Sequence, residues 1–455
     1  MRGVFSVVNS IKYPAGFAAL VVTCMVFPHQ INNTMKRNFS VLLALSALVM
    51  TAGCKKSLNS SVEVTQKAKA GFPTNNDWQH PSVYGRVIRY DIHDGNGSDC
   101  LLAYDISSGQ VSLTQVNGTN ATTLYSNTGF VTGSGTFNFW QYASLCTDKY
   151  NETGGVHIIP YDADGSGYED HILMYIPVQK MVFILHYNTS TGLWVQDWYN
   201  NATGIGGYDL AGTTDKIISY DFGSGVKKDL ICYRPGYRIF WVLVNSGTSS
   251  SPIWTAKVKS TGGVGGFDLA GTMDQLVALG GPQQGNMSLV ATRPSYGYAF
   301  VLSHTPNATA WGGLFQSNSG FYSGISQAPF FSEAFLQDRV VAVNGLAFQG
   351  SNADNIFTCY RPGSGLGYSY TYAPDYSVSA PPRTLGGSSL YPGLTYPMNN
   401  NPYAAGGNGV GDHVIPFSPI VNQGNTSLLF YSNGGGNQAQ VYEWNPTAHN
   451  YTQVY

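Results

Sequence analysis

The sequence predicts an all-β fold, and three observations carry the prediction. Charged residues make up only 11% of the 455-residue chain, well under the usual quarter. Glutamate occurs only at Glu63, Glu152, Glu169, Glu333 and Glu443, and a chain so poor in Glu, Lys and Arg has little from which to build long helices. Tyrosine (31) and glycine (54) are abundant, and short apolar runs alternate with Gly, Asn and Ser turns, the pattern of strands. A net charge of −2 supplies no basic field, so no nucleic-acid partner is expected.

The front end reads differently. Residues 35 to 54 are "MKRNFSVLLALSALVMTAGC". Lys36 and Arg37 form a positive start, and Phe39 to Met50 is an apolar run too short to span a bilayer comfortably. The segment resembles a bacterial lipoprotein signal ending on Cys54. The resemblance implies cleavage before Cys54, acylation of its thiol and new amino group, and export to the outer membrane or cell surface. Membrane contact would then run through the lipid anchor alone. An ordinary signal peptide with an incidental Cys is the alternative. Residues 1 to 34 hold a second apolar patch, so the chain either starts functionally at Met35 or carries a tandem or transmembrane N-terminus. Residues 1 to 54 are thus extension and signal, 55 to 80 a polar tether, and 81 to 455 the folded body.

Repeats organise that body. "GGYDLAGTTDKIISYDF" at 206 to 222 returns as "GGFDLAGTMDQLVALGG" at 265 to 281. Each opening leads to an apolar run ending in Arg-Pro, then a third run, then a fourth announced by Trp254 or Trp311. The same order begins at Gly85, Val156, Asp338 and Asp412, giving six units spaced 59 to 74 residues apart. Four-strand units of this length predict one β-propeller of six four-stranded blades. A seventh fits if residues 128 to 150 or 376 to 410 hide a degenerate blade. The last unit keeps its own fourth strand, so the ring is expected to close without a strand from the N-terminal side.

The pattern D-[KQRH]-[IV]-[IV]-x-[YF]-D, then Y-R-P-G, then W-x-[LV], resembles the propeller repeats of the FG-GAP and VCBS class. It is also similar to the propeller lectins of the Psathyrella velutina type. The resemblance covers roughly residues 85 to 455 and implies a propeller; the class includes lectins, adhesion modules and appendages of enzymes and toxins.

That resemblance also implies a calcium loop between first and second strands, D-x-D-x-[DNS]-G-x-x-D. In "DADGSGYED", Asp162, Asp164, Ser166 and Asp170 match its liganding side chains, with Tyr168 offering a carbonyl. Hard oxygens on a Gly-bent loop suit calcium. The other units depart: His93 and Gly95 interrupt the first, Lys227 and Lys228 the third, and the fourth has no carboxylate. The loop is therefore a turn in every unit and a calcium site in this one at most. Glu169 beside it is expected to face solvent.

Other candidates recur with the repeat. The Asp before the first strand (Asp215, Asp274, Asp338, Asp412) is expected to pin one blade to the next. Arg234, Arg293 and Arg361 in the Arg-Pro turns stand open between binding carboxylates or sugar hydroxyls and satisfying carbonyls. Trp194, Trp254 and Trp311 either stack on sugars or wedge between blades. His157 and His413 read as turn residues. Cys100, Cys232 and Cys359 read as buried apolar residues, and a Cys100–Cys146 disulfide stays open.

No sialidase Asp box, G-x-S-x-G elbow or H-E-x-x-H is present. Asp148 and Glu152, in an irregular inter-blade insert, are the least implausible acidic pair. The sequence therefore predicts a noncatalytic binding module. A glycan or cell-surface polysaccharide is the expected ligand, a protein partner the alternative, and a carbohydrate-active enzyme the less favoured one.

Overall fold

The computed structural model describes residues 85–92, 99–145, 154–226, 228–279, 287–318, 321–322, 329–331, 338–343, 355–361, 366–372, 412–417, 427–432, 439–445 and 450–453. All lie within the compact unit Ala68–Tyr455. The signal with Cys54, the tether, Cys146, Asp148, Glu152 and the insert at 376–410 fall outside the described residues.

Six of the seven sheets among the described residues are blades that follow one another in chain order, each built on consecutive antiparallel strands; the seventh is a two-stranded ladder of Phe321–Tyr322 and Pro329–Phe331. Blade 1 is Gly85–Asp91, Asp99–Asp105, Gln110–Asn117 and Asn120–Thr128. Blade 2 is His157–Tyr161, His171–Ile176, Met181–Asn188 and Leu193–Asn200. Blade 3 is Lys216–Tyr220, Asp229–Arg234, Ile239–Asn245 and Trp254–Ser260. Blade 4 is Gln275–Leu279, Met287–Arg293, Tyr298–His304 and Gly312–Ser317. Blade 5 has three described strands, Arg339–Val343, Asn355–Arg361 and Leu366–Tyr372. Blade 6 is Asp412–Pro416, Ser427–Ser432, Ala439–Asn445 and Asn450–Gln453. The first strands lie against one another in order, and that of blade 6 returns to that of blade 1. This is a closed β-propeller.

Residues 128–150 hold no seventh blade in their described part. Phe130–Thr132 instead adds to the outer edge of blade 2, in parallel at Thr132 and Trp194, with Gly135–Phe137 beyond it. Blade 6 takes all four strands from the last segment of the chain, as the repeat anticipates.

Burial explains the strand patterns. The second strand of blade 2, HILMYI, is buried along its whole length, because neighbouring blades cover both faces and leave no polar side to alternate with. The fourth strand of blade 3, WTAKVKS, alternates half-buried with exposed, as a rim strand should. In blades 1 to 4 the pairing of third and fourth strands slips at a matching place. The extra residues are Leu124, Asp197, Lys257 and Leu314, and such bulges sharpen the local twist.

The core lies between blades. Separate apolar clusters fill the seams 1–2, 2–3, 3–4, 4–5 and 6–1. Buried tyrosines on second strands cross three of them. Tyr175, Tyr233 and Tyr431 accept the backbone N–H of Ile217, Leu276 and Val87 at 3.1, 3.2 and 3.0 Å. Blade 4 has Thr292 in that place, and Gln275 takes over. Its amide donates to Asp338 O at 2.8 Å and its carbonyl accepts the Val340 N–H at 3.3 Å. His157 and His413 are strand residues rather than turn residues, stacked on Tyr175 and Tyr431 at 4.9 and 5.0 Å. Cys100, Cys232 and Cys359 are buried among apolar neighbours.

Candidate functional site

Antiparallel strands place the turns between second and third strands on one propeller face and those between first and second strands on the other. Each face carries one candidate.

On the first face, the D-L-A-G loop enters blades 3 and 4. Leu210 and Leu269 adopt left-handed backbone there, at φ 48° and 51°. Their side chains are fully buried, and that packing holds the strain. Their carbonyls accept the N–H of Val178 and Gly236 from the preceding blade, each at 2.9 Å. Gly271 follows because a Cβ would stand 2.4 Å from Asp274 Oδ1 and 2.7 Å from Arg293 Nε.

That space holds an ion pair. Arg293 Nε and Nη2 donate to the two Asp274 oxygens, both at 2.8 Å. Arg234 does the same to Asp215 at 2.6 and 2.8 Å, and Arg361 to Asp338 at 2.6 and 2.9 Å. The three carboxylates are fully buried. Asp215 also accepts the Gly212 N–H at 2.7 Å and the Tyr208 hydroxyl at 2.5 Å. These aspartates therefore tie a blade to its own entry loop. They do not pin it to the next blade as the sequence predicts, because the arginine reaching them stands on the second strand of the same sheet. Arg234 and Arg293 also donate to Asp209 and Asp268. Partial burial works against ionisation of those two aspartates, but the guanidinium bonds outweigh it and hold both below the usual range.

The tryptophans sit in the seams. Trp194 is fully buried among Tyr90, Tyr125, Phe130 and Tyr187. Trp254 packs on Trp198 at 4.9 Å, and Trp311 on Tyr220, Phe240 and His304. Tyr237 (65%) and Tyr296 (67%) are the most exposed aromatics among the described residues, ahead of Tyr199, Trp140 and Tyr168, and stand one each in the Arg-Pro turns of blades 3 and 4. Arg238, beside Tyr237, comes within 4.0 Å of Asp268 in blade 4. The sequence reading missed these tyrosines, although their place after each Arg-Pro was a usable signal.

On the opposite face, Asp162 shapes the acidic loop of blade 2. It accepts the N–H groups of Gly165, Ser166 and Gly167 at 2.8 to 3.0 Å. Asp164 caps Ser166 at 2.9 Å, and Ser166 Oγ accepts the Tyr168 N–H at 3.3 Å. Burial, with help from the Asp164 charge, pushes Asp162 up to about 6 despite the Gly167 and Gly165 amides. Two crowded carboxyl groups and a serine on a Gly-bent loop are oxygen donors that fit a hard cation. Asp170 is bonded to His171 at 2.6 Å. Lys228 of blade 3 lies over Gly165, where a Cβ would be 3.4 Å from its Cδ. Glu169 does not face open solvent. It points to Arg89 of blade 1 at 3.9 Å, and its carbonyl accepts the Asp91 N–H at 3.1 Å.

No family model matches the chain, and no curated protein matches it. Solved structures resemble it at low identity. The periplasmic gluconolactonase of Pseudomonas aeruginosa is 10% identical, over 65% of this chain and 67% of its own, with a TM-score of 0.34. A candidate 6-phosphogluconolactonase of Bacteroides uniformis is 9% identical, over 83% and 96%, at 0.35. A candidate phosphatase of Bacteroides thetaiotaomicron is 11% identical, over 67% and 63%, at 0.36. Likenesses of this strength carry no inference about ligand or reaction.

Proposed function

We propose that this chain is a noncatalytic binding propeller that recognises a glycan on its Tyr237 and Tyr296 face. The observation that carries the reading is the repeat-equivalent exposure of these two rings in adjacent blades. An aromatic face with a polar tip suits the C–H faces and hydroxyls of a sugar. Beside Tyr237, Arg238 and the half-exposed Asp268 add polar groups for those hydroxyls. Asp215, Asp274 and Asp338 on this face are occupied by arginines and Asp105 accepts the Ser107 N–H and hydroxyl, so these four buried acids are placed as structural groups rather than as free general acids or bases. The signal ending on Cys54 supports an exported, lipid-anchored protein at the outer membrane or cell surface. A calcium ion held by Asp162, Asp164, Ser166, the Tyr168 carbonyl and Asp170 would stiffen one turn and supply no chemistry.

A glycan array probed with the full chain tests this. Binding by the wild type that is lost in the Tyr237→Ala/Tyr296→Ala double variant supports the reading. No glycan binding, with capture of a cell-surface protein instead, moves the function to a protein-interaction module.

A further inference from the structure

Blade 2 departs from the repeat at three positions that meet in space. His171 opens its second strand and pairs directly across from His186 on the third. Asp197 is the bulged residue of the fourth strand, beyond Val195, which pairs with His186. The matching positions hold Cys100, Gln115 and Leu124 in blade 1, and Asp229, Val244 and Lys257 in blade 3. In blade 4 they hold Ser288, Ser303 and Leu314. The propeller architecture therefore does not require two histidines and an aspartate there. A bulge is also a device for re-aiming one side chain, and only in blade 2 among these four does the bulged residue carry a carboxylate.

The geometry points to a binding site for a divalent transition metal of the zinc class, held by His171 Nε2, His186 Nδ1 and Asp197 Oδ2. These atoms lie within 4.8 Å of one another. Asp197 Oδ2 is 2.7 Å from His186 Nδ1 and 3.7 Å from His171 Nε2. Ligand atoms around a tetrahedral zinc are roughly 3.3 Å apart, given bonds of about 2.0–2.1 Å. That spacing falls between the two observed distances, so a small swing of the Asp197 carboxylate makes room for the ion. Asp170 Oδ1 stands 2.6 Å from His171 Nδ1. It accepts the hydrogen bond of the Nδ1–H, fixes that tautomer and leaves the Nε2 lone pair for the metal, the support that histidine ligands of metals ordinarily have. Two imidazoles select a borderline metal over calcium, which prefers oxygen alone. The His186 side chain is 31% exposed, while those of His171 and Asp197 are 7% and 11% exposed. The ion would enter past His186, and three protein ligands leave a fourth position for water. This site adjoins the acidic loop through Asp170, which supports His171 here and is not one of the three ligands, and it does not depend on the glycan reading.

The test is titration of the chelator-stripped full chain with zinc chloride by calorimetry, and with cobalt(II) by visible absorption. One equivalent of zinc is expected, together with the intense absorption of tetrahedral cobalt. His186→Gln and Asp197→Asn each weaken zinc binding at least ~100-fold and abolish the cobalt band, and Asp170→Asn weakens it ~10- to 100-fold. His186→Gln changes a partly exposed residue and is the variant to trust if Asp197→Asn unfolds. Asp162→Asn leaves zinc binding intact. No zinc binding, binding unchanged in His186→Gln, or a weak octahedral cobalt spectrum would each overturn the assignment.

Discussion

The hydroxyl of Tyr431 in blade 6 accepts the backbone N–H of Val87 in blade 1 at 3.0 Å, with both residues buried. It joins the last sheet to the first, between which no strand is exchanged among the described residues. Tyr431→Phe keeps the ring and removes the acceptor, leaving a buried N–H unpaired. The expected cost is about 1–3 kcal/mol, read as a lower urea midpoint with an unchanged slope. Tyr233→Phe, at the 3–4 seam, should cost the same. A silent Tyr431→Phe beside a costly Tyr233→Phe would mean that the 6–1 seam does not limit stability.

Arg234 and Arg293 each bridge one buried and one exposed carboxylate, and the two kinds of partner should respond differently. Asp274→Asn takes away the fully buried partner of Arg293 and leaves only the half-exposed Asp268 to balance its charge, at a cost of about 3 kcal/mol, the lower end for breaking a buried pair. Asp209→Asn removes the partner of Arg234 that is 60% exposed, and solvent screening limits its effect to under about 1 kcal/mol. Equal losses in chemical denaturation would show that the outer carboxylates contribute as much as the buried ones.

His304 gives the 3–4 seam a pH dependence. Its Nδ1 donates to the Thr305 carbonyl and its Nε2 accepts the Tyr220 hydroxyl, each at 2.7 Å. Burial lowers its pKa, outweighing the Thr305 carbonyl and the Asp221 charge. A depressed folded pKa means that the unfolded chain binds the proton more readily. The stabilisation is therefore complete above the unfolded value of about 6.5 and is lost as pH falls through the folded value. The melting temperature of the wild type should fall more between pH 7 and pH 5 than that of His304→Asn. Parallel curves would show that His304 does not titrate in this range.

The propeller was legible because its signal is repeated. The 59-residue return of Asp215 at Asp274 fixes where each blade begins, and the apolar second strands follow from burial on both faces. Trp194, Trp254 and Trp311 were visible as markers of the fourth strands, but whether a tryptophan faces a seam or solvent is a tertiary fact. Tyr90, Tyr161 and Tyr220 stand at or next to the ends of the first strands; Tyr90 and Tyr220 pack on the tryptophans of the following blades. The His171, His186 and Asp197 group was not legible, because its members are far apart in sequence and meet only through strand register and a bulge. The Asp162 loop was legible as local sequence, because Asp162 makes its bonds to residues three to five positions on.

That loop supports a last prediction. If a hard cation sits there, it relieves the crowding of Asp162 and Asp164, and calcium should raise the melting temperature of the folded chain. At a concentration one hundred times its dissociation constant, the added stability is about 2.7 kcal/mol. Asp164→Asn removes one charged oxygen donor and should abolish the calcium-dependent rise. It should barely lower stability without calcium, because Asp162 still caps the Gly165, Ser166 and Gly167 amides. Lys228 of blade 3 overlies the loop and competes with the ion, so Lys228→Met should tighten calcium binding. A wild type whose melting is the same in calcium and in chelator would leave the loop as a turn.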